Sequence, residues 1–286
     1  MVLNVVNLYS KTMKMKKYYT LFLVAFIVFL IGCATNPLTG KKTLNFVSNS
    51  EIFPSAFQQY SQFLNENKVV NGTADAKRVE SVGIKIKNAA EKYLNSLGQT
   101  GYLNDYRWEY KLVEDKAVNA WCMPGGKIVV YTGILPITKD EAGLATVMGH
   151  EVSHALANHG AQRMSASQLQ SLGAAGLTLA TGQQSTETQQ IAMTAYGLTT
   201  QYGGMLPFSR NHETEADKIG LVLMAIAGYN PDQAVSFWSR MSANSGGQAP
   251  PEFMSTHPSD ATRIANLKQM IPEAKKTAAK FGIVFK

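Results

Sequence analysis

The stretch GHEVSHALANHG, from Gly149 to Gly160, holds three of the five histidines in the chain. His150 and His154 are four residues apart, and Glu151 directly follows the first of them. Because residues i and i+4 share one face of a helix, both imidazoles would point toward the same place. Apolar residues at helical spacing predict such a helix: Leu144, Val147, Met148, Val152 and Leu156.

The sequence also indicates where this helix begins and ends. Thr138 and Glu141 have the spacing of a capping box, which predicts the start of the helix at this point. Gly160 is the residue type that commonly follows the last turn, so we expect the helix to end there.

The histidine pair has the spacing of a metal site. Zinc takes imidazole nitrogens as ligands in a tetrahedral array, and this spacing supplies two of them. Glu151 points away from that shared position but can reach a water molecule beside the metal, as in the H-E-x-x-H pattern of metallopeptidases. The alternative is that both histidines are ordinary side chains of a surface helix.

A third ligand is expected from a second helix, SRNHETEADKIGLVLMAIAG (residues 209–228). Glu213 and Asp217 are four residues apart and therefore project from one face. Glu213 can complete a His–His–Glu site, and Asp217 can accept the second ring N–H of a ligand imidazole. Glu215 is the rival ligand, and acidic residues taken alone more often form a solvated face.

H-E-x-x-H followed about sixty residues later by E-x-x-x-D resembles the gluzincin metallopeptidases that include HtpX and the CAAX prenyl proteases. Within them the chain is most similar to the periplasmic lipoprotein branch of BepA and LoiP. Three further stretches match: NPLTGKK (residues 36–42), NAWCMPGGKIVVYTGIL (119–135) and STHPSDATRI (255–264).

The resemblance implies one Zn²⁺ per chain, held by His150, His154 and Glu213. It implies that Glu151 is the general base and that Asp217 supports a ligand histidine. The implied fold is α+β: a mostly helical zincin catalytic domain with a small antiparallel sheet beside the zinc helix. The implied function is a metalloendopeptidase that hydrolyses misfolded or unassembled envelope proteins.

The N-terminus has the pattern of a lipoprotein signal. Basic residues precede an uncharged apolar run (residues 20–32), which is short for a membrane span. Leu30-Ile31-Gly32-Cys33 resembles a bacterial lipobox, so we expect lipidation of Cys33; the alternative is a plain anchor helix. The expected domains are a signal peptide at 1–32, a lipidated N-terminus and tether at 33–50, and a zinc metallopeptidase domain at 51–286.

Net charge argues against a nucleic-acid-binding protein, and cysteine content argues against a fold held by disulfide bonds. Removing residues 1–32, with their four lysines and no acid, lowers the net charge from +7 to +3. No basic run remains in the mature chain, so we expect no nucleic-acid partner. Cys122 would then be the single free thiol. With no disulfide possible, the hydrophobic core would have to stabilise the fold.

In a Gram-negative host, Ala34 after the lipidated cysteine favours the outer membrane, with the body facing the periplasm.

VNAWCM and KIVVYTG are expected strands joined by a turn, in addition to a strand predicted by the alternating residues of YRWEYKLVE. If the first lies at a sheet edge, it can bind unfolded protein by strand addition. The expected substrate-binding residues are Asn119, Ala120, Trp121, Cys122 and Met123. The resemblance to BepA implies association with the outer-membrane assembly machinery. The rival functions are a zinc-containing chaperone or binding module and a structural zinc domain.

Two further segments carry expectations. Residues 165–202 are rich in Gln, Ala, Gly and Thr, which predicts loose helices or a mobile flap. His257 precedes Pro258, the expected first residue of a helix, so it can be an N-terminal cap. The family resemblance favours instead a role at the zinc, either as a latch in the fourth ligand position or as a hydrogen-bond donor to the oxyanion.

Overall fold

A computed structural model of the chain describes residues 33–244, 253–254, 257 and 261–285. Its helices are α1 Asn49–Glu66, α2 Ala74–Ser96, α3 Leu135–Thr138, α4 Glu141–Leu156, α5 His159–Thr181, α6 Thr186–Thr200, α7 Leu206–Ile226, α8 Asp232–Asn244 and α9 Ala261–Ala279. Its strands are β1 Cys33–Thr35, β2 Lys42–Leu44, β3 Val69–Val70, β4 Glu109–Val113, β5 Ala120–Met123 and β6 Lys127–Tyr131. Among the described helices, none combines the length and apolar character needed to cross a membrane.

The expected fold class is confirmed, since helices predominate and one small sheet lies beside α4. That sheet has the order β3-β4-β6-β5, and β5 pairs antiparallel with β6 as Trp121 opposite Val129. One pairing differs from the expectation, because β4 and β6 run parallel, with Leu112 opposite Val130. The chain crosses from β4 to the edge strand β5 and returns through a tight turn, which places β6 in the same direction as β4.

Helices α4 and α7 form the centre of the molecule and pack against each other more extensively than any other pair of described elements. Gly149 and Gly220 allow their backbones to meet. A methyl group added to Gly149 would lie 3.0 Å from the carbonyl oxygen of Gly220. The helices also share a continuous apolar core that includes Leu144, Met148 and Leu223, each fully buried.

The expected boundaries of the histidine-rich helix were wrong at both ends. Asp140 is the N-cap, and its carboxylate accepts a hydrogen bond of 2.8 Å from the Gly143 amide. Thr138 instead ends the preceding short helix, where its hydroxyl donates to Leu135. Helix α4 ends at Leu156, because Asn158 adopts a left-handed φ of 57° and turns the chain into α5.

The segment expected to act as a tether is folded where the structure describes it. Strands β1 and β2 form a small antiparallel pair, and the turn between them is closed by Asn36, whose side chain accepts from the Leu38 amide. Leu38 is buried in the main core, and the Phe46 amide donates to Ser165 of α5. The predicted signal peptide, residues 1–32, lies outside the described residues.

Residues 165–202, expected as loose helices or a flap, belong mainly to the two helices α5 and α6, which pack as a hairpin. Tyr196 donates to the carbonyl oxygen of Gln170 across the hairpin. Several large apolar side chains on it are exposed: Met164, Leu169, Leu172, Leu179, Ile191 and Leu198.

Candidate metal centre

Four side chains from distant parts of the chain meet at one point: His150, His154, Glu213 and His257. The first two lie on consecutive turns of α4, and Glu213 lies on the facing helix α7. One ligand atom from each residue lies within 4.8 Å of the others. The structure therefore brings together the three predicted ligands and His257, which the family resemblance had also placed at the zinc.

The spacing of these atoms fits a metal ion. A tetrahedral site with ligands at about 2.0–2.1 Å separates its ligand atoms by about 3.3 Å. Here Nε2 of His150 and Nε2 of His154 are 3.1 Å apart, and Glu213 oxygens lie 3.2 and 3.3 Å from them. Oε1 of Glu213 is buried and has no hydrogen-bond partner among the described residues. A buried carboxylate oxygen without a donor needs a cation, so these residues fit a bound metal.

The protein holds Glu213 in its charged form. Burial raises the pKa of this carboxyl group, but contacts with His150, His154 and His257 outweigh burial and lower the pKa well below its usual range. For His150, burial lowers the pKa, while hydrogen bonds with Asp217 and Glu213 raise it to about 9. Both shifts have one cause, the closeness of carboxylates to the imidazole nitrogens.

Asp217 lies where the sequence predicted it. Its Oδ1 is 2.9 Å from Nδ1 of His150, so it accepts that N–H and leaves Nε2 directed into the cluster. Arg263 of α9 holds the same carboxylate with two hydrogen bonds, of 2.8 and 2.6 Å. The guanidinium also lies over the ring of Trp238, 3.5 Å from its centroid.

Glu151 is buried at the edge of the cluster and shares no ligand position with the histidines. Its Oε1 accepts no hydrogen bond from the described residues and lies 3.4 Å from Nε2 of His257. Burial raises the pKa of Glu151, although the nearby histidines act in the opposite direction. A carboxylate with a raised pKa is a stronger base than one on the surface.

His257 approaches the cluster from the far end of the chain. Its Nδ1 lies 3.1 Å from Nε2 of His150 and 2.8 Å from Oε2 of Glu213. Its backbone amide donates to Phe253, and its ring lies 4.8 Å from the ring of Phe253. The imidazole therefore lies at the fourth corner of the cluster; Pro258, its expected helix start, lies outside the described residues.

Glu215, the rival ligand, lies outside the cluster. Its Oε2 is 3.0 Å from Nε2 of His159, and its Oε1 is 3.6 Å from the ammonium group of Lys41. Between the two candidates on α7, the geometry therefore favours Glu213.

The predicted substrate strand is the sheet edge nearest to α4. No described strand pairs with the outer side of β5. Asn119 and Ala120 are buried at its start. Cys122 shares a cavity with His154, whereas Trp121 turns to the opposite face and contacts the Phe63 ring, with ring centroids 5.0 Å apart. Met123 packs on the same face as Trp121, against a small apolar cluster that includes Tyr60 and Val129.

Sequence reasoning missed two buried residues of the centre. Arg263 lies within STHPSDATRI, but its partner Asp217 is 46 residues away. His159 is the third histidine of the opening stretch, and its Nδ1 lies 2.9 Å from Nδ1 of His154. The available signal for His159 was its position five residues after His154. That spacing is longer than one helical turn, so the two rings meet only because the chain bends after α4.

Known proteins similar in sequence cover the region that contains this centre. Residues 85–271 match the profile of peptidase family M48, a range that includes every predicted metal, base and strand residue. The mitochondrial metalloendopeptidase OMA1 of Schizosaccharomyces pombe is 41% identical over 179 residues, which cover 60% of this chain and 49% of the relative. The metalloendopeptidase OMA1 of Bos taurus is 30% identical over 264 residues, covering 89% of this chain and 49% of the relative.

A bacterial relative is also similar. The beta-barrel assembly-enhancing protease of Escherichia coli K12 is 29% identical over 203 residues, covering 66% of this chain and 41% of the relative. The chain therefore spans about half or less of the length of these relatives. The family resemblance expected from the motifs is confirmed. Since the profile covers more than half of its residues, the chain belongs to peptidase family M48.

Proposed function

We propose that the chain is a zinc-dependent metalloendopeptidase. The observation that carries this proposal is the meeting of His150, His154 and Glu213 around one point with the free carboxylate oxygen of Glu151 beside it. A structural metal site has no need of a base at its edge, so the arrangement favours hydrolysis over a structural zinc domain.

In this proposal His150, His154 and Glu213 hold the metal, and Asp217 orients His150. When bound, zinc polarises a carbonyl group and lowers the pKa of water from 15.7 to about 7. Glu151 takes the proton of the attacking water on its free oxygen and delivers it to the leaving amine. Its burial and its raised pKa suit both steps.

We assign His257 the role of a latch. Its Nδ1 occupies the side of the cluster that a substrate carbonyl and the attacking water would need. Its Nε2 faces Glu151, so one imidazole covers both the metal position and the base. Movement of His257 away from the cluster would expose both together.

The proposed substrates are unfolded or misassembled proteins in an extended form. The outer edge of β5, which no described strand covers, would offer backbone hydrogen-bonding groups beside α4, and such groups read the substrate backbone more than its side chains. Because Trp121 and Met123 face away from α4, specificity on the metal side would come from Cys122, which shares a cavity with His154.

We further propose that the chain is a lipoprotein anchored through Cys33 in the outer membrane and facing the periplasm. The lipobox pattern and the similarity to a beta-barrel assembly-enhancing protease of Escherichia coli support this location and an association with outer-membrane assembly. Relatives named as mitochondrial share the catalytic region, so the location rests on the N-terminal pattern and the bacterial relative.

One experiment tests the activity directly. Zinc content is measured by mass spectrometry on the purified protein, and cleavage of an unfolded protein is followed with and without a chelator. We expect one zinc per chain and cleavage that the chelator abolishes. Zinc without cleavage, in both wild type and the His257→Ala variant, would favour the chaperone or binding module.

A further inference from the structure

His159 is a fully buried histidine that the proposed mechanism does not use. Helix α4 ends at Leu156, the left-handed Asn158 reverses the chain, and α5 begins at His159. This bend places Nδ1 of His159 2.9 Å from Nδ1 of His154. The contact lies on the opposite side of the His154 ring from the metal cluster.

The hydrogens of this contact follow from the ligand geometry. Nε2 of His154 points into the cluster, so its lone pair must be free and its Nδ1 must carry the hydrogen. Nδ1 of His159 is then the acceptor, which leaves the hydrogen of His159 on Nε2. That N–H points at Oε2 of Glu215, 3.0 Å away. Each nitrogen and oxygen in this series therefore has a single role, either as a donor or as an acceptor.

The surroundings hold the His159 ring in this orientation. The imidazole of His212 stacks on it, with centroids 4.1 Å apart and planes inclined by 9°. Nε2 of His212 lies 3.0 Å from Oε1 of Gln162, one turn along α5 from Asn158. On its outer side, Oε1 of Glu215 lies 3.6 Å from the ammonium group of Lys41, which belongs to the folded N-terminal segment.

We propose that His159 and Glu215 are positioning residues for the metal ligand His154. His159 would do for His154 what Asp217 does for His150: accept its second N–H and so direct the other nitrogen to the metal. Glu215 would hold His159 in place, as Arg263 holds Asp217. Lys41 of the NPLTGKK segment makes the outermost contact of this series, with Glu215. The inference rests on the proposed metal site and extends it to residues outside the ligand set.

The test measures zinc affinity by competition with a chromophoric chelator. His159→Leu removes the acceptor for the His154 N–H, so we expect affinity to fall by about 10- to 100-fold. His159→Gln keeps a carbonyl oxygen as acceptor and should stay within about fivefold of wild type. Glu215→Leu should weaken binding, whereas Glu187→Leu, an exposed carboxylate on α6, should leave it unchanged.

Two further readouts separate positioning from general stability. The visible absorption of the Co²⁺-loaded protein should change in His159→Leu and remain near wild type in His159→Gln. The unfolding midpoint of the metal-free protein reports any loss of packing. Equal zinc affinity in wild type and His159→Leu would refute the inference, and so would equal losses in His159→Leu and His159→Gln. Failure of wild type to bind zinc would instead refute the proposed function.

Discussion

Replacing Arg263 with Met should destabilise the metal-free protein strongly. The Arg263 and Asp217 side chains are 7% and 5% exposed, and two hydrogen bonds of 2.8 and 2.6 Å join them. Arg263→Met removes the guanidinium partner of the buried Asp217 carboxylate and leaves only the His150 imidazole beside it; removing one member of such a buried pair costs about 3–5 kcal/mol. Methionine retains much of the packing against Trp238, so most of the loss is electrostatic. For a domain of this size we expect a fall in Tm of about 6–20 °C.

Urea unfolding of chelator-treated protein, followed by circular dichroism, measures this loss. Arg210→Met, an exposed position on α7, is the matched control and should change stability by less than about 0.5 kcal/mol. In the Asp217→Leu background, Arg263→Met should cost much less, because no buried anion is left behind. If the stability losses of the two single variants summed to that of the double variant within about 0.5 kcal/mol, the coupling between Arg263 and Asp217 would be refuted. A loss below about 1 kcal/mol for Arg263→Met alone would also refute it.

Four other predictions test the proposed roles. Glu151→Gln removes the base but no ligand, so zinc content should stay near one per chain while cleavage falls at least about 10²-fold; an unchanged rate would exclude Glu151 as the base. Glu213→Ala should weaken zinc binding at least about tenfold more than Glu215→Ala in a chelator competition, because only Glu213 reaches the cluster; the reverse order would make Glu215 the ligand. His257→Ala should raise cleavage of an unfolded protein at equal zinc loading, and a slower variant would refute the latch. Cys33→Ser should abolish the mass increase from acylation and leave an unprocessed precursor, whereas a wild type without acyl groups would exclude the lipoprotein.

The centre could be located from sequence because its main signals are local. The four-residue spacing of His150 and His154 fixes a shared helix face, and the same spacing links Glu213 with Asp217. The choice between Glu213 and Glu215 could not be derived from one helix. It depends on the rotation of α7 against α4, which the contact of Gly149 with Gly220 sets.

Features that depend on distant partners escaped sequence reasoning. Arg263 is 46 residues from Asp217, and no periodicity in either helix connects them. The parallel pairing of β4 with β6 follows from how the chain crosses to β5, which strand patterns do not encode. The end of α4 was missed because the left-handed Asn158 ended the helix before the more obvious Gly160.

The close contact of Gly149 with Gly220 would be the natural pivot for any rocking of α4 against α7. If one helix rocks against the other about this contact, displacement grows with distance along the axis. His150 adjoins the pivot and Asp217 lies within one turn of it, so their mutual geometry would change little. Glu213 is seven residues from Gly220, about 10 Å along the helix. Rocking of the helices would therefore displace mainly the Glu213 carboxylate. Its side chain can rotate to follow a metal ion more readily than the His150 ring, which Asp217 holds in place.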